Sequence, residues 1–274
     1  MKSEGKIDLA TIATHGGLIA ILGFCYLIML APIIAVVLTS FSPPGQQLAG
    51  QVSSPWYWYI QLLSDGNLKS GLATSLLIAL CSTFAVVLIG TPAALVIAQR
   101  GFALRGVIGA GLLSPIIFPT LITGLALLIF FQWMSAPIFI RLLLGHIVIA
   151  MPYLIRMVLV TAAAYDLRLT EAALIHGASP ARAFLKVTLP VIKPGVVAGA
   201  VFAFIISLGE VNISLFLTGP GVTTLPIQIL SQIQFGTNQV IIAVVSTVQI
   251  AIIAVAVLVL DRIFGISLIR DYEA

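Results

Sequence analysis

Charged residues are scarce: 13 Lys and Arg with 9 Asp and Glu make up 8% of 274 residues, against 60% hydrophobic. With a mean hydropathy of +1.18, the chain lacks the polar surface needed to cover a water-soluble globule, so the bilayer is its solvent. Cysteine is equally sparse. Cys25 and Cys81 both fall inside apolar runs, which argues against a disulfide scaffold and for two small packing side chains. His15, His146 and His176 stand far apart with no carboxylate cluster or metal-ligand spacing around them, so no metal site is expected. A Walker-type glycine loop is also missing, and neither catalysis nor ATP hydrolysis is expected of this chain. No internal repeat is visible, so nothing favours the inverted-repeat plan of many secondary transporters. A self-coupled transporter or channel would need its own ion site, for which only Glu210 offers a carboxylate within a span.

What the chain has instead is long apolar runs. Crossing a hydrocarbon core takes roughly 20 helical residues, and six runs qualify: Gly17 to Leu38, Leu72 to Ile97, Val107 to Phe131, Leu142 to Ala164, Val196 to Leu217 and Val240 to Leu260. They are continuously apolar, not alternating, so the fold class is all-α, a polytopic membrane protein of six helices and a single domain spanning 1–274. The first run is too long for a signal-peptide core and reads as a retained span. Only the fourth and fifth runs carry a charge, Arg156 and Glu210.

Basic residues set the expected orientation. Lys2, Lys6, Arg100, Arg105, Arg168, Arg182, Lys186, Lys193, Arg262 and Arg270 fall on one side, and only Lys69 and Arg141 on the other. The positive-inside rule then puts both termini in the cytoplasm. It also explains the pI near 9.3 by topology, with no nucleic-acid partner. The outer segments are Thr39 to Gly71, Gln132 to Arg141 and Thr218 to Gln239. In the first, Ser42-Pro43-Pro44-Gly45 stops the span, and Pro55-Trp56-Tyr57-Trp58-Tyr59 forms an aromatic belt at headgroup depth. Pro32, Pro92, Pro115, Pro119 and Pro152 each remove a backbone donor inside a span and are expected to kink it.

The longest inner loop, Tyr165 to Gly195, has helix signals of its own. Glu171-Ala172-Ala173 opens a short helix that Gly177 ends as a left-handed cap. Ser179 caps a second helix begun by Pro180, with Arg182 and Lys186 on one face, and Leu189-Pro190 is expected to close it. The product is a two-helix knob shaped to dock.

These residues carry a specific pattern: Glu171-Ala172-Ala173, three residues, Gly177, nine residues, then Val187-Thr188-Leu189-Pro190. The pattern resembles the EAA loop of binding-protein-dependent ABC importer permeases, differing by Val187 where Ile is usual. The resemblance implies that 171–190 is the coupling surface seated on an ATP-binding subunit. It also implies two such subunits holding ATP and Mg, a second and usually different permease, a periplasmic solute-binding protein, and no cofactor in this chain. Ala200 to Ile205, Leu215-Phe216-Leu217-Thr218-Gly219-Pro220 and Thr223-Thr224-Leu225-Pro226 are further similar to the spermidine and putrescine branch, whose other members handle ferric iron, phosphonates or opines.

An ionisable group within a span points by default into a cavity or at a partner, so Glu210, with Ser207 and Asn212 nearby, is the candidate solute path. Pairing across a permease dimer remains the structural alternative. The branch commonly has a second acid beside it, and Gly209 stands there instead, which favours a singly charged or mixed-charge solute. Counted at about 1.5 Å per residue, Arg156 lies about 12 Å and Glu210 about 21 Å from the inner side, so a direct pair within the chain is not expected.

Overall fold

The computed structural model describes residues 9–42, 54, 56–98, 104–163, 166, 168–236 and 238–264. Lys2, Lys6, Pro43 to Gly45, Pro55, Arg100, Tyr165 and Arg270, used above, lie outside them. The first run becomes α1 (Leu9–Ser40), followed by α2 (Tyr57–Ser64) and α3 (Gly66–Ala98). The third run divides into α4 (Arg105–Leu113), a tight turn at Ser114–Ile116, and α5 (Thr120–Trp133); the fourth is α6 (Ile138–Ala163). The knob is α7 (Arg168–Ile175) and α8 (Pro180–Ala183), which leads through Phe184–Thr188 into α9 (Leu189–Leu208). Then come α10 (Asn212–Leu217), α11 (Leu225–Phe235) and α12 (Gln239–Phe264). Among the described residues there is no strand, and five helices are long and apolar enough to cross a bilayer, six if α4 and α5 count as one bent span.

Three expectations need correction. The third span is not one helix: α4 and α5 meet at 105°. Pro119, extended at φ −56° and ψ 127°, blocks helical hydrogen bonding, and its carbonyl accepts from the Ile122 and Thr123 amides to start α5 anew. The fifth span breaks too, between Leu208 and Asn212, so Ser207 and Asn212 do not share a helix. Leu189-Pro190 does not close the second knob helix either, since helix runs unbroken from Pro180 to Leu208. A π turn over Phe184–Thr188 precedes Pro190, and its wider winding accommodates the proline ring and missing amide that would stop a regular α-helix.

The centre of the bundle is α3, α6 and α9, packed on one another. Ile78, Val86, Leu154, Ile155, Val158 and Ile192 are fully buried there. Because lipid is as apolar as leucine, contact depends on small residues that let backbones approach. Gly195 and Gly199 on α9 serve this purpose against Met157 and Leu154 of α6. By contrast, α1 rests along α12, and its segment from Gly17 to Ser40 is almost wholly exposed, as a lipid-facing helix would be. The aromatic belt folds back on α1: Tyr59 shares a 2.7 Å hydrogen bond with Ser40, and Trp58 donates to the Ser42 carbonyl. At the same end α11 is pinned to α3, where Ser75 Oγ accepts from the Leu225 amide at 2.8 Å.

Candidate functional site

Two constructions stand out, a knob at one end of the bundle and a break inside it. In the knob, α7 ends in a Schellman turn. The Ala178 amide donates to Ala173 and the Gly177 amide to Leu174, at 3.0 and 2.9 Å, with Gly177 at φ +84°. Ser179 then caps α8, accepting from the Arg182 amide at 3.4 Å. Thr170 and Thr188 share a hydrogen bond that ties α7 to the π turn. Glu171, Ala172, Arg182 and Pro190 are exposed while Ala183 is buried, so one side of the knob faces outward and the other rests on the bundle. A cavity of about 850 Å³ lies beneath it, walled by Leu95, Arg105, Leu159, Asp166, Thr170 and Phe184 among others. Ser207, Glu210 and Asn212 do not border this cavity, so it belongs to the attachment of the knob.

The break at 209–211 interrupts an apolar run, where each backbone group left unpaired away from water costs several kcal/mol. It is therefore capped on both sides. Gln249 of α12 donates to the Leu208 carbonyl at the end of α9. Glu210, buried to 8% exposure, turns its carboxylate onto the Ile213 amide at 2.8 Å and starts α10, where a negative charge also suits the helix dipole. Asn212 is exposed and donates to Thr120 Oγ1 at 2.7 Å, joining this break to the one that begins α5. Ser207 is buried and accepts from Ser82 at 3.0 Å.

The structure thus gathers Ser207, Glu210 and Asn212 at one break, and holds the knob residues apart from them at one end of α9. It adds a group the sequence did not single out. His146 of α6 is 1% exposed, with Nδ1 2.7 Å from Ser207 Oγ and Nε2 3.1 Å from Ser214 Oγ. A polar residue in an apolar run was the available signal. Arg156 is exposed on α6 and Glu210 is buried.

A bundle of apolar spans, two of them interrupted by capped backbone, with a compact knob at one end, defines a polytopic all-α membrane protein. The chain belongs to the binding-protein-dependent transport system inner membrane component family, which matches residues 87–267; it is an ABC importer permease. It is 33% identical over 231 residues to the putrescine transport system permease protein PotI of Escherichia coli, covering 80% of each chain. To the E. coli spermidine/putrescine permease PotC it is 29% identical, covering 81% of this chain and 83% of that one. The molybdenum transport permease ModB of Mycobacterium bovis is 35% identical over 69% of this chain and 77% of its own. Among solved structures, a bacterial ABC transporter importing the acidic polysaccharide alginate superposes with TM-score 0.74 at 14% identity, covering 95% of this chain and 99% of that one. An inward-facing form of the MetNI methionine ABC transporter gives 0.58 at 23%, covering 72% and 94%. Both speak for the fold.

Proposed function

We propose that this permease carries a small cationic or mixed-charge solute of the polyamine type, and that residues 171–190 couple it to an ATP-binding subunit. The coupling reading rests on one observation: the EAA pattern folds as a self-capped knob, with Glu171, Ala172, Ala173, Gly177, Ser179, Pro180, Arg182, Leu189 and Pro190 in one compact unit. In the working assembly this chain pairs with a second, different permease, two ATP-binding subunits and a periplasmic binding protein. ATP and Mg belong to the ATP-binding subunits. The putrescine and spermidine relatives support the solute class, and they weigh against the single positive charge that Gly209, in place of a second acid, favours on its own. The path runs past the 209–212 break, where Glu210 supplies negative charge and Asn212 and Ser207 supply hydrogen-bonding groups.

Uptake tests both halves of this reading. Proteoliposomes holding the complete transporter and its binding protein are expected to take up putrescine when ATP is supplied, and uptake of molybdate alone would overturn the solute class. Glu210→Gln keeps the shape and still accepts from Ile213, losing only charge. Putrescine uptake is expected to fall about tenfold, a change of about 1.4 kcal/mol in transition-state stabilisation, with assembly intact. Unchanged uptake would leave Glu210 as a helix cap and place selection in the binding protein.

The basic bias supports an orientation with the knob and both termini cytoplasmic. In a background free of Cys25 and Cys81, an impermeant thiol reagent on intact cells is expected to label Ser231→Cys, exposed on α11, and to miss Ala181→Cys, exposed on α8. The reverse pattern would invert the topology.

A further inference from the structure

Ser207 and Ser214 are seven residues apart on either side of the break, and one imidazole touches both hydroxyls. In an unbroken helix seven residues rise about 10.5 Å, too far for the two nitrogens of a single ring. The contact therefore requires the break between α9 and α10, with α10 seated on α5 and α6, and it is specific to the interrupted state of this span. Four helices meet in it: Ser82 of α3 donates to Ser207 of α9, His146 comes from α6, and Ser214 from α10. All four side chains are buried, none more than 3% exposed. A neutral ring protonated at Nε2 completes the chain in one direction, with Ser82 donating to Ser207, Ser207 to Nδ1, and Nε2 to Ser214. α10 in turn packs on α5, and Asn212 reaches Thr120 at its start.

We infer that His146 is a positioning residue of the translocation path: it clamps the two halves of the broken fifth span and so sets where Glu210 and Asn212 stand. The clamp holds whatever solute passes, and it rests on the transport reading only for its effect on uptake. Its geometry is read independently of any solute by a pair of spin labels at Phe202→Cys and Leu215→Cys, both exposed, one on each half.

The assembled transporter in lipid nanodiscs, without the native cysteines, is expected to give one narrow label distance. His146→Phe fills the space but forms none of the hydrogen bonds. It is expected to broaden that distance and to lower maximal uptake about tenfold, with KM changing less than threefold and the subunits still copurifying. His146→Gln, which offers an acceptor and a donor, is expected to recover at least half of the rate and the narrow distance. Ser214→Ala, which removes one hydroxyl at nearly constant volume, gives the same broadening and decides the matter where the phenylalanine variant does not assemble. An unchanged distance in His146→Phe or in Ser214→Ala overturns the clamp, as does a glutamine variant no better than phenylalanine. Wild-type protein that shows the narrow distance but no putrescine uptake removes the solute reading and leaves the clamp standing.

Discussion

Gly177→Val is expected to lower ATP-driven uptake by about an order of magnitude while the protein still reaches the membrane. Gly177 sits at φ +84° with nothing within 4 Å of where a Cβ would be. The penalty is therefore purely conformational. A side chain in the left-handed region costs about 1–2 kcal/mol, and a β-branched one is stiffer still. That sum is small against the stability of the bundle but decisive for a turn held by two hydrogen bonds, Ala178 to Ala173 and Gly177 to Leu174. Loss of the turn swings α7 away from α8, and about 1.4 kcal/mol shifts the ratio of docked to undocked knob tenfold. Gly177→Asn separates the causes, because asparagine tolerates the left-handed conformation and is expected to transport near the wild-type rate. The checks are uptake in proteoliposomes and copurification of the ATP-binding subunit. Full uptake with full copurification in the valine variant would remove the turn from coupling.

The knob was legible in the sequence because its determinants are local. Gly177 and Ser179 act on amides within five residues, so the cap pattern alone predicts the two helices and the turn between them. The spans were legible for a related reason, since hydropathy needs only a window of neighbours. Breaks were visible only where proline marked them. Pro115 and Pro119 announced the bend between α4 and α5, although not its 105°. The fifth span broke unannounced, because Gly209-Glu210-Val211 adds one charge to an apolar run and its caps come partly from elsewhere. Gln249 reaches Leu208 from 41 residues away, and His146 joins Ser207 and Ser214 across 61 and 68. Pro190 misled in the opposite direction. A stop was the ordinary expectation for it, and only the π turn at Phe184–Thr188, which no local residue preference announces, lets the helix pass.

Gly195→Leu is expected to cost the fold itself. At this point α9 crosses α6 so closely that a Cβ would lie 2.6 Å from the Met157 carbonyl oxygen and would also strike Thr161 Oγ1. A side-chain clash can be relieved by a new rotamer, but a backbone carbonyl inside a helix cannot turn away without breaking its own hydrogen bond. The helices must separate instead. Four residues on, Gly199 stands so near Leu154 that a Cβ there would be 2.9 Å from its Cα, so separation at one point opens the contact along two turns. Overpacking of this kind costs about 3 kcal/mol, a large share of a marginal stability of about 5–15 kcal/mol. The expected outcome is a sharp loss of monodisperse protein after detergent extraction and a lowered melting temperature. Gly111→Leu on α4, with nothing within 4 Å of its Cβ position, is expected to behave as wild type and shows that leucine in a span is not harmful by itself. The decisive arm is Gly195→Ala with and without Thr161→Ala. Removing the threonine hydroxyl and methyl relieves two of the three collisions and leaves the Met157 carbonyl, so the double variant is expected to regain part of the stability lost by the single one. Full recovery would mean that the Met157 carbonyl is not the limiting contact and that α6 and α9 can part without cost. Partial recovery, with the remainder insensitive to any side-chain change at position 161, places the constraint on backbone against backbone.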